Sequence, residues 1–209
     1  MNPTHWKIWL MALCMVTAVH AQVDCDATPA ESMAGAVVLG NGNPASVTTA
    51  MIQNALNNGG KIRFDVGVNP VQINLKSTLS VTREATLDGG GLVTLSGQGQ
   101  RRLINISNPQ NQTFTLTVQN IGFINGSTPG DSGAAIFRTN NGPWQAISLK
   151  VINSHFDNNH AIQVEQDGGG GAIYATGMNE VLISDSSFTN NSGSNGGAVY
   201  TLGTDVLKI

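Results

Sequence analysis

Charge is scarce in this chain of 209 residues: Asp, Glu, Lys and Arg together make up 11% of it, against roughly 25% in an ordinary soluble domain. The formal net charge is −3, and no stretch gathers Lys and Arg into a basic stripe. Nucleic acid is therefore not an expected partner, because phosphate binding depends on clustered cations. Cysteine is nearly missing, with only Cys14 and Cys25. Cys14 falls in an apparent leader, so the exported chain would keep Cys25 alone and could form no internal disulfide. Long apolar runs are missing as well: "IWLMALCMVTAV" at 8–19 is the most apolar stretch, and it is shorter than the roughly 18 residues a spanning helix needs. A transmembrane helix is not expected.

That short run has another reading. Lys7 precedes it and Val19-His20-Ala21 follows it, the order of charge, apolar core and small residues that a signal peptidase recognises. Residues 1–21 are expected to be a cleaved signal peptide, 22–45 an N-terminal arm, and 46–209 a single folded domain. Secretion or display at the cell surface follows from the leader.

What the chain does have is Gly (25 residues) and Asn (22 residues), the two types that best tolerate the left-handed backbone of tight turns. One helix is expected over 46–57, with Ser46 as N-cap and Asn58-Gly59-Gly60 as its end. Its apolar positions Val47, Met51, Ile52, Ala55 and Leu56 share a face. Beyond it the pattern is short alternating strands such as "KIRF" (61–64), "VQINL" (71–75) and "LVTL" (92–95), broken by Gly, Asn, Asp and Pro.

These strands repeat. "LTVQNIGFIN" (116–125), "LKVINSHFDN" (149–158) and "VLISDSSFTN" (181–190) superimpose on Phe123, Phe156 and Phe188. Each is followed by a glycine-led segment, "GAAI" (133–136), "GGAI" (170–173) and "GGAV" (196–199). Units this short, without a helix, cannot each bury a hydrophobic face and must stack on one another. The expected fold is all-β, a right-handed parallel β-helix in which equivalent side chains form ladders, with the N-terminal helix capping the open strand edges of the first coil. The sequence breaks off at "DVLKI", partway into a further coil, as a piece of a longer protein would.

The pairing of Phe-x-x-Asn with Gly-Gly-Ala-Ile resembles the repeat of the polymorphic outer-membrane protein family. "FDNN" (156–159) and "FTNN" (188–191) match it in full, and "FING" (123–126) departs at its last position. The segment "LDGGGLVTLSGQGQRRLINI" (87–106) also resembles the N-terminal part of bacterial pectin-lyase-like β-helix proteins. The resemblance implies an exported surface or secreted scaffold engaged in adhesion or glycan binding, with a polysaccharide or cell-surface glycan as partner. The alternative it leaves open is a polysaccharide lyase or hydrolase of the pectin-lyase-like class.

No catalytic signature accompanies it. "GDSGAA" (130–135) has the letters of a serine-protease nucleophile segment, but Ser132 occupies the repeat slot of Gly169 and Asn195, so a structural turn is expected. A lyase would need a base, and the coil region offers Arg101, Arg102, Arg138 and Lys150. The one stretch that breaks the period, "DNNHAIQVEQDGGG" (157–170), must bulge from the stack as a loop, and loops on rigid scaffolds tend to carry function. Its Asp157, His160, Glu165 and Asp167 are the candidate binding residues. Glu165 and Asp167 could hold Ca²⁺ through carboxylate oxygens; no other cofactor is expected.

Overall fold

The computed structural model describes residues 27–138, 143–144, 146–162 and 168–209. The expected signal peptide, both cysteines, Glu165 and Asp167 lie outside the described residues. The chain winds into an all-β parallel solenoid. Coils begin at Gly60, Ala85, Phe114, Ile147 and Glu180, and Val206–Lys208 starts another. Three parallel sheets form its faces. The largest contains ten strands; a second is built from Ser127–Pro129, His160–Ile162 and Ser192–Gly193. The third runs through Leu79–Val81, Ile104–Ile106, Ile136–Arg138, Ile173–Thr176 and Val199–Leu202.

Stacking in register turns the sequence repeats into columns. Ile62, Leu87, Val118, Val151 and Ile183 are successive partners along one interior column, and all but the last are essentially inaccessible. The expected Phe ladder forms: Phe123 and Phe156 stack with centroids 4.9 Å apart, Phe156 and Phe188 with centroids 4.8 Å apart. Both spacings follow from the strand-to-strand distance of a sheet and lie within the favourable range for stacked rings.

Corners are turned by asparagine. Asn125, Asn158 and Asn190 adopt φ of 52°, 55° and 53°, a conformation that costs Asn less than other side chains. The amide of Asn158 then donates to the Oδ1 of Asn125 at 2.6 Å. A second left-handed column, Asn120, Asn153 and Asp185, carries the equivalent bond from Asn153 to Asn120 at 2.7 Å. The last Asn of the Phe-x-x-Asn motif points inward instead. Asn159 is wholly buried; its Oδ1 accepts from the Gly126 N–H and its amide donates to the Phe123 carbonyl. Gly126, where "FING" departs from the motif, has no room for a side chain: a Cβ there would collide with the Ala134 carbonyl and come 2.7 Å from Asn159 Oδ1.

The helix spans Thr49–Asn58 and buries Ile52, Ala55 and Leu56. Its N-cap is Thr48, whose Oγ1 accepts from Met51 N, rather than Ser46. The reason is local: Val47 is extended, so helical geometry cannot start before it, and Ser46 closes a separate 3₁₀ turn over Pro44–Ser46. As expected, the helix caps the stack. Gln53 acts as a surrogate strand, donating to the Ser80 carbonyl at 2.9 Å and accepting from the Ser80 N–H at 2.7 Å. This satisfies the free edge of Leu79–Val81.

The arm does more than lead into the domain. Its residues Val37–Gly40 form a strand on the edge of the large sheet, paired with Ile62–Asp65. Upstream, it crosses the outer surface of the same sheet. The Thr28 N–H reaches Ser184 Oγ, the Ser32 carbonyl accepts from Lys61 Nζ, and Glu31 lies between them. Glu31 exchanges both backbone bonds with the Gln119 amide. Its carboxylate accepts from Thr86 and Thr117 and pairs with Lys150 at 3.4 Å.

Among the described residues no helix is long and apolar enough to cross a membrane, which says nothing of spanning by strands.

Candidate functional site

Of the four residues singled out, the structure describes Asp157 and His160. It places them not in a bulging loop, as expected, but in strands of the stack, His155–Asp157 and His160–Ile162, on either side of one corner; the excess over the period begins only after Ile162. The corner follows from the motif. Phe156 points in, Asp157 out, Asn158 turns the chain in the left-handed region, Asn159 points in and His160 points out. Asp157 Oδ1 accepts from Thr189 Oγ1 at 2.7 Å and from Asn190 Nδ2 at 2.8 Å, both one coil on. The Thr189 bond foremost, then the Asn190 bond, holds its carboxyl below the usual carboxylate range; burial works weakly against this, and the charge of His155 adds to it. Among the described residues no three His, Cys, Asp or Glu side chains gather as metal ligands.

His160 is held from both sides. Its Nε2 lies 2.7 Å from Asn158 Oδ1, and its Nδ1 lies 2.7 Å from Ser192 Oγ. The amide of Asn158 is already oriented by its donation to Asn125, so its oxygen faces the imidazole. An oxygen can only accept, hence Nε2 carries a proton, and in the neutral ring Nδ1 then presents its lone pair to the Ser192 hydroxyl. The Asn ladder therefore sets the tautomer of the histidine. Sequence reasoning named His160 but not Ser192, because the two are 32 positions apart and meet only through the pairing of His160–Ile162 with Ser192–Gly193.

Ser132 sits as a turn residue should. It is 3% exposed, its Oγ accepts from the Gly169 N–H, and Gly169 bridges to Asn195 one coil further on. The four bases considered for a lyase are all engaged. Arg101 bonds the Leu75 carbonyl, Arg102 pairs with Asp131 at 2.6 Å, and Lys150 pairs with Glu31. Arg138 is wholly buried, donating to the carbonyls of Thr176 and Pro143, and desolvation lowers its pKa.

A second outer feature escaped the sequence reading. On the third sheet Phe137, Tyr174 and Tyr200 are register partners that face outward, half-buried. Phe137 and Tyr174 stack at 5.3 Å, Tyr174 and Tyr200 at 5.1 Å. The Arg102 guanidinium closes the top of the column 4.0 Å above the Phe137 ring, in cation–π range. Trp144, 51% exposed, rests against Gly177 and Gly203, where any Cβ would strike its ring. The signal available in the sequence was the residue after each "GAAI", "GGAI" and "GGAV", which is aromatic every time.

Residues 153–176 and 185–202 match the Chlamydia polymorphic membrane protein repeat. Those segments contain the corner, His160, Ser192 and two of the three stacked rings. The chain is also similar to a protein named "Probable autotransporter YfaL" from Escherichia coli (strain K12), 38% identical over 82 residues, which is 39% of this chain and 6% of that relative. The chain thus spans a small part of the length of the curated relative it matches. No solved structure matches.

Proposed function

We propose that the chain is part of an exported, surface-displayed or secreted β-helix scaffold of the pectin-lyase-like kind, which presents its long outer face for adhesion or glycan contact. The observation that carries this reading is the outward column of Phe137, Tyr174 and Tyr200. Interior stacking accounts for Phe156, but nothing in the core requires aromatic rings on the solvent side. Tyrosine combines an apolar ring with a polar hydroxyl, the combination that contacts a sugar's C–H faces and hydroxyls together. The similarity to the polymorphic membrane protein repeat and to an autotransporter supports the location. Asp157 and His160, with Glu165 and Asp167, remain the proposed secondary contacts, the last two with Ca²⁺.

The test is binding of the purified chain to immobilised polysaccharides and to cells. Tyr174→Ala and Tyr200→Ala are expected to weaken binding by about tenfold or more, and Glu165→Gln with Asp167→Asn to weaken it and to remove any dependence on Ca²⁺. Binding unchanged in the tyrosine variants would refute the aromatic face as the contact surface. Unsaturated products from polygalacturonate that vanish with a chelator would replace the scaffold with a lyase.

A further inference from the structure

We propose that Ser192, His160 and Asn158 form an acyl-transfer site that hydrolyses carboxylic esters. The inference is independent of the glycan reading and rests on the two 2.7 Å contacts of the imidazole. A serine becomes a nucleophile when a base accepts its proton and a third group fixes the orientation of that base. Here the third group is Asn158, a positioning residue. Its own orientation is imposed by Asn125 one coil back, so the neutral imidazole is set in its Nε2–H tautomer without help from a substrate. Ser127 also lies in the His160 column, one coil back from it, but the lone pair of Nδ1 faces Ser192.

The reaction balances with water as the only co-substrate. Nδ1 takes the proton of Ser192 Oγ as that oxygen bonds to the carbonyl carbon. The tetrahedral intermediate collapses, the bond to the alcohol oxygen breaks, and the imidazolium returns its proton to the departing alkoxide. Water, deprotonated in turn by Nδ1, then splits the acyl-serine to a carboxylic acid and free Ser192. Ser192 is exposed and His160 half-buried, on the outside of the solenoid. Such a site suits an ester borne on a large or polymeric carrier. General-base assistance of this kind is worth about 10²–10⁴-fold.

The probe is 4-nitrophenyl acetate with the whole 209-residue chain. The expected results are release of 4-nitrophenolate above the buffer rate and a peptide containing residue 192 heavier by one acetyl group. Ser192→Ala and His160→Ala should each lower the rate by about a hundredfold, with unchanged circular dichroism and Tm. Asn158→Gly, which keeps the left-handed corner, should lower it about tenfold, and Asn158→Asp, which keeps an acceptor for Nε2–H but loses the donation to Asn125, should recover part of that loss, a rescue that a merely structural role does not predict. A Ser192→Ala rate within twofold of the parent, or acetylation found only elsewhere, overturns the proposal.

Discussion

Replacing Phe156 by Ala probes the stacked core most directly. Phe156 is 0% exposed and is the only ring of its ladder with a stacked neighbour on both sides, at 4.9 and 4.8 Å. Truncating a buried Phe costs about 3–5 kcal/mol through lost transfer energy and the cavity left behind. Each stacked pair adds about 0.5–1.5 kcal/mol beyond area burial. The upper part of the range, about 4–5 kcal/mol, is therefore expected. Phe188 has one stacked partner and is only half-buried, so Phe188→Ala should cost less than half as much. For a domain of this size each kcal/mol moves Tm by roughly 2–4 °C, which predicts a fall of roughly 8–20 °C for Phe156→Ala. Thermal and urea unfolding followed by far-ultraviolet circular dichroism measure both variants. A loss below about 1 kcal/mol, or equal losses at 156 and 188, would refute the one-dimensional stacking from which these values follow. Phe156→Asp, which buries a charge without a partner, should be more severe still.

Three further outcomes are expected. Glu31→Ala removes the carboxylate shared by Thr86, Thr117 and Lys150, and should cost about 1–2 kcal/mol and speed proteolytic cleavage within 27–36; unchanged cleavage would show that the arm is held by other contacts. Gly126→Asn completes the motif in "FING" yet should destabilise, because the new side chain meets the Ala134 carbonyl and Asn159; a higher Tm would show that the neighbouring coil can move aside. Asp157 has a folded-state pKa below its unfolded value, so its stabilisation is present above the ordinary carboxylate range and is lost as pH falls through the lower folded-state value. Asp157→Asn should therefore show a smaller drop in urea midpoint on acidification than the parent, and an identical drop would assign the acid sensitivity to other groups.

Much of the fold could be read in the letters, because a solenoid writes its geometry as a period. Phe123, Phe156 and Phe188 recur at near-constant spacing since each coil returns to the same corner, and left-handed corners favour Asn, Asp or Gly, as at Asn125, Asn158 and Asp185. The same reasoning fails wherever a contact joins one coil to the next. His160 was legible as an unusual residue, but Ser192 becomes its partner only when two strands 32 positions apart pair in register. Glu31 carried no sequence signal at all: its four partners, Thr86, Thr117, Gln119 and Lys150, come from three different coils, and the arm passes from one coil to the next outside the period. The N-cap moved from Ser46 to Thr48 because capping depends on where the backbone first turns helical, which the extended Val47 decides. Residue order along the chain determined what repeats and which residues turn corners. Only the stacking of coils, which converts separation along the chain into a few ångströms along the axis, decided what touches what.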